Sequence, residues 1–164
     1  MSGWSENDLT AVLSNLSTLV SDLEIVLLEH RHDTFIFPED TDETVTFTAG
    51  GTNNSFCDWV EIEDNNGIMF SSKFVSSIGH LASILIEGVD VKDKAYLIEL
   101  AYGSDKTSIT SYRFIAGETN KLPAIQQVRI RTEHVPSGEK LYYRMKCETS
   151  GKTCTLSFRY HYHN

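Results

Sequence analysis

From residue 34 almost to the C-terminus, apolar side chains recur at every second position, in short runs rich in β-branched and aromatic residues. A period of two gives each run one dry face and one wet face. Such runs are satisfied only by pairing edge to edge and closing two sheets over a common interior. The runs fall near Thr34–Phe37, Glu43–Thr48, Cys57–Ile62, Ile68–Ser71, His80–Gly88, Ala95–Tyr102, Ser108–Ile115, Ile125–Thr132, Lys140–Cys147 and Thr153–Tyr162. Turn-forming clusters separate them, among them Asp64-Asn-Asn-Gly67, Asp90-Val-Lys-Asp93 and Gly103-Ser-Asp105. No helical pattern intervenes, so the expected fold is mainly β, a jelly-roll β-sandwich of about ten antiparallel strands.

The last two runs show the logic residue by residue. Leu141, Tyr143, Met145 and Cys147 alternate with Tyr142, Arg144 and Lys146, while Cys154, Leu156, Phe158, Tyr160 and Tyr162 alternate with Thr155, Ser157, Arg159 and His161. Read as a closing hairpin around Glu148–Thr153, this places Cys147 directly opposite Cys154. A cross-strand disulfide and a pair of small buried thiols are both compatible with that register.

Before residue 34 the period is different. Leu9, Leu13, Leu16, Val20, Leu23 and Leu27 follow steps of four and three, a heptad seam, and Ser5 with Asp8 has the spacing of a capping box. The spacing predicts an amphipathic helix that starts near residue 5 or 6, widened on one side by Val12, Leu19 and Val26. A free helix of this length is marginal in water, so its stability has to come from packing, either on its own domain or against copies of itself. The expected organisation is a helical arm over 1–33 and a jelly-roll domain over 34–164.

Charge and motifs then exclude several function classes. A formal net charge of −9 repels polyphosphate, and no Lys/Arg stripe with interleaved aromatics runs along the sequence, so direct nucleic-acid binding is not expected. The acidic first residues lack the features of a secretory signal and no apolar run is long enough to span a bilayer, which predicts synthesis in the cytoplasm and no membrane partner. Nucleophile elbow, P-loop, dinucleotide fingerprint and zincin patterns are all absent, so no catalytic residue is assigned and the chain reads as a non-enzyme. Cys57, Cys147 and Cys154 are too scattered for a zinc site, and His30-Arg-His32 has cupin-like spacing without the following glutamate. His161 and His163 share the polar face of the last run. The acidic segments Glu39–Glu43 and Asp58–Asp64 suit calcium chemically but match no EF-hand loop. No metal and no cofactor is expected.

An amphipathic arm followed by a ten-run jelly roll with Tyr and Phe alternating in the final strand resembles the tumour-necrosis-factor/C1q-like modules, especially those used as decoration or cement proteins on tailed-virus capsids. The resemblance is one of layout and covers about Glu43 to Tyr162. It implies a homotrimer that bridges subunits of a virion, with the major capsid protein or another virion protein as partner. It also implies an interface formed by Tyr143, Phe158, Tyr160 and Tyr162 on one side of the closing hairpin and Tyr142 on the other, where the same rings otherwise serve as core. The helical seam Leu9, Leu13, Leu16, Val20, Leu23 and Leu27 is the second candidate interface. The alternative is a carbohydrate- or receptor-binding module of a trimeric viral fibre, with Trp59, between Asp58 and Glu61, as its best local candidate.

Overall fold

The computed structural model describes residues 10–20, 34–117, 127–130 and 134–163. The chain divides into two compact units, Met1–Asp33 and Thr34–Asn164. In the first, residues 10–20 are α-helical. The described part of the second holds nine strands: β1 Phe35–Phe37, β2 Val45–Thr48, β3 Val60–Glu61, β4 Ile78–Val89, β5 Ala95–Tyr102, β6 Thr107–Ile115, β7 Gln127–Arg129, β8 Leu141–Cys147 and β9 Thr153–His163.

Their pairing is nested. β5 pairs with β6, β4 with β7, β3 with β8 and β2 with β9, every pair antiparallel. The chain therefore behaves as one long hairpin, and rolling that hairpin adds the pairings β4 with β9 and β5 with β8. The result is two sheets, β1-β9-β4-β7 with β2 also on β9 (sheet A) and β3-β8-β5-β6 (sheet B). This is a jelly-roll sandwich, the fold class expected from the period-two runs. β1 and β2 share one edge of β9, β1 along Phe158–Tyr160 and β2 along Thr153–Leu156.

The inward positions make an aromatic interior. Phe37, Phe47, Phe70, Phe74, Tyr96, Phe158 and Tyr160 are all fully buried. Phe70 is its hub, stacked on Phe37 at 4.6 Å and Phe158 at 4.9 Å and edge-on to Tyr160 at 5.3 Å. Each such side chain taken from water contributes roughly 1.5–3 kcal/mol. Gly79 is needed here because a Cβ would sit 2.1 Å from the Phe74 ring.

Two expectations are corrected. The run at Ile68–Ser71 is not a strand. After a single bridge from Glu63 to Met69 the chain coils into a 3₁₀ turn, Phe70–Phe74. Ser71, Ser72 and Lys73 have no β-branch, and coiling them turns both Phe70 and Phe74 into the core.

Nor do β8 and β9 form a hairpin, since they belong to different sheets. Alternation fixes which side chains point inward, but it does not tell inward faces that lie side by side from inward faces that meet across a sandwich. Here they meet across it: Phe47 of sheet A stacks on Tyr143 of sheet B at 3.7 Å. Cys147 accordingly pairs with Tyr96 and Cys154 with Phe47 and Val89, and both are free thiols.

Candidate assembly and binding surfaces

On the helix, Leu13, Leu16 and Val20 recur at steps of three and four and line one stripe, with Val12 and Leu19 beside it. Every residue from 10 to 20 is exposed in the single chain, Leu13 and Leu19 at 65% and Leu16 at 55%. The remaining seam residues, Leu9, Leu23 and Leu27, lie outside the described residues.

The tyrosines and phenylalanine assigned to a β interface separate into two groups. Tyr143, Phe158 and Tyr160 are buried to 6% or less within the sandwich, where their inward register places them, so these three rings serve as core in the single chain. The Tyr143 hydroxyl accepts a hydrogen bond from the Thr48 N–H at 3.3 Å, and burial pushes the pKa of Tyr143 and Tyr160 above the usual phenol range. Tyr162 is only half-buried, at the end of the sandwich, against Phe35 at 5.2 Å and Phe74 at 6.1 Å. Phe35, Ile36, Val75 and Ile78 are exposed. Tyr142 faces out of sheet B with the Lys106 ammonium 3.5 Å above its ring.

That outer face of sheet B carries a feature invisible in the linear sequence. Arg144 lies over Phe56 at 4.5 Å and Trp59 at 4.7 Å while binding Glu99 at 2.6 Å, and Lys146 lies over Phe56 at 4.7 Å. The ladder of Trp59, Arg144, Phe56 and Lys146 comes from two segments far apart in the chain. The segment before β3 is laced to β8: the Gly50 and Cys57 N–H groups both donate to the Met145 carbonyl and the Asn54 N–H donates to the Cys147 carbonyl at 2.8 Å. Gly50 permits this close approach, as a Cβ there would lie 2.4 Å from the Ser55 carbonyl oxygen.

The remaining polar candidates are placed as follows. His80 and His161 are cross-strand partners on sheet A with rings 4.6 Å apart, and His134 stands 5.9 Å from His80. His30 and His32 lie outside the described residues. The acidic segments shape loops: Glu39 binds Lys73 and Glu61 binds Lys140, each at 2.6 Å, and Glu43 accepts from the Asn66 amide at 2.7 Å. Asp64 Oδ1 accepts from the N–H groups of Asn66 and Ile68, holding the turn. Among the described residues no three His, Cys, Asp or Glu side chains are grouped to hold a metal ion. No helix among them is long and apolar enough to cross a membrane.

No family model matches the chain, and no curated protein matches it. Among solved structures it is similar to one described as the structure of infectious bursal disease virus Gt strain, at 11% identity and a TM-score of 0.29 over 80% of this chain. The match spans 33% of that structure's chain. A likeness this loose carries no argument about what the chain does.

Proposed function

We propose that the chain is a non-enzymatic assembly protein that forms a homotrimer through its helical arm. The observation that carries this reading is the exposed stripe of Leu13, Leu16 and Val20, flanked by Val12 and Leu19, on a helix that has no stability of its own to spare. A heptad seam is buried most simply by identical seams, because a symmetric bundle satisfies every copy at once. The half-buried Tyr162 beside exposed Phe35 offers a second apolar contact at one end of the sandwich.

The action is mechanical, with no bond made or broken. The jelly roll supplies a rigid body and the arm ties bodies together. The setting on a virion, with the major capsid protein or another virion protein as partner and bridging of capsid subunits as the role, rests on the layout shared with decoration modules of the tumour-necrosis-factor/C1q-like kind. Native mass spectrometry at micromolar concentration tests the assembly: trimers are expected, and a strict monomer overturns it. Co-sedimentation with purified capsids tests the setting, where retention in the pellet is expected and loss to the supernatant at every salt concentration rejects it.

A further inference from the structure

The register of sheet B places Lys146 and Arg113 on either side of Leu97, on β8 and β6 respectively. Alternate strands lie about 10 Å apart, so two long cationic side chains there are able to converge on one small group above Leu97. In a chain with 23 carboxylates and 14 Lys and Arg residues, cations are the scarce sign. Lys73, Lys140, Arg144 and Lys152 each have a carboxylate within ion-pair distance. Among the described residues Arg113 and Lys146 have none, in common with Lys92, Lys94, Lys106 and Arg159, and Lys146 rests instead on the Phe56 ring at 4.7 Å.

These two cations border a hollow of about 240 Å³, lined also by Asn54, Leu97 and Glu148. The lining is built. Lys146 is held over Phe56, the Asn54 N–H is fixed to the Cys147 carbonyl, and the Glu148 N–H donates to the Ala95 carbonyl. Asn54 adopts a left-handed conformation, φ 59°, which few residues other than Gly, Asn and Asp take readily.

We propose that this hollow binds a sugar ring carrying a carboxylate, of the uronic-acid type. The argument is one of matching every lining group. A carboxylate accepts charge-assisted hydrogen bonds from Arg113 and Lys146. Ring hydroxyls donate to Glu148 and exchange hydrogen bonds with Asn54, and the C–H face of the ring lies on Leu97. An inorganic anion satisfies the cations but is opposed by Glu148. A neutral sugar satisfies Glu148 but leaves Arg113 without a counter-charge. A ligand with an acid and several hydroxyls on one ring uses the whole set. The proposal does not depend on the assembly reading.

Titration of the full chain with glucuronate, glucose and sulfate, followed by amide chemical shifts, tests it. Glucuronate is expected to give saturable shifts confined to Asn54, Leu97, Arg113 and Glu148, and glucose none. Both Arg113 and Lys146 are on the surface, so Arg113→Gln and Lys146→Gln keep the fold, checked by an unchanged melting curve, and each is expected to weaken glucuronate binding about tenfold. Glu148→Gln is expected to weaken glucuronate and strengthen sulfate. Absence of saturable shifts, unchanged affinity in both cation variants, or sulfate binding the wild-type chain as well as glucuronate overturns the proposal.

Discussion

The helix and the sandwich handle apolar surface in opposite ways. In the sandwich, Phe70 alone touches four other aromatic rings and none of its area meets water. On the helix, Val12, Leu13, Leu16, Leu19 and Val20 are each about half exposed or more. One region is finished within a single chain, and the other is a short helix, of a length that is marginal in water when nothing packs on it. The difference teaches where energy is available for function: contacts already made hold the fold, and contacts still open are free to hold a partner.

The comparison breaks first if the sandwich does not depend on its aromatic hub. Phe70→Ala removes a ring packed on Phe37, Phe74, Phe158 and Tyr160 and is expected to cost about 3–5 kcal/mol, measured by urea unfolding. A loss below about 1 kcal/mol would show that the interior collapses around the gap. Gly79→Ala probes the same core from the backbone. Its Cβ would meet the Phe74 ring at 2.1 Å, so the ring must shift, and a cost of about 1–3 kcal/mol is expected in the same assay.

Alkaline pH sharpens the contrast without any change of packing. Burial pushes the Cys154 thiol up to about 12 from an ordinary value near 9, with Asp90 and Glu87 adding to the rise. Between those values the unfolded chain has lost the proton that the native chain still holds. Stability from this group is complete below pH 9 and falls as pH rises through the window. Buried Tyr96, Tyr143 and Tyr160 act in the same direction. The melting temperature should fall steadily above pH 9, and Cys154→Ala should flatten the slope while lowering the plateau. A Cys154→Ala variant with the wild-type slope would show that the thiol is not held protonated by the fold.

Much of the sandwich was legible because period-two alternation fixes which side of a strand is dry, and burial on β8 follows it from Leu141 to Cys147 without a break. What alternation does not encode is the partner. The hairpin expected between β8 and β9 fails for that reason, since inward faces look the same side by side or face to face. The 3₁₀ turn was missed because Phe70 and Phe74 satisfy either period. Of the surface features, the helical stripe was visible from its spacing. The cation–aromatic ladder was not, because Phe56 and Trp59 are separated from Arg144 and Lys146 by most of the domain. The only hint in the sequence was the outward register of Arg144 and Lys146 along β8.

The smallest expected effect on stability belongs to the arm, and it decides what the arm is for. Leu16 and Val20 are 55% and 50% exposed in the single chain, so charging them removes little buried area from the fold. Leu16→Asp with Val20→Asp should leave the cooperative melting of the sandwich within about 0.5 kcal/mol of wild type, because exposed substitutions rarely do more. In the proposed trimer the same positions would meet their copies across the seam. Two carboxylates per chain brought into that apolar contact have no counter-charge and strong hydration to lose. Light scattering should therefore show the trimer replaced by monomer while circular dichroism retains the β signal. If instead the double variant melts several kcal/mol earlier, the stripe stabilises its own chain and the two regions are one cooperative unit. If melting and oligomeric state are both unchanged, the seam is not the surface through which copies meet, and the half-buried Tyr162 end becomes the place to look.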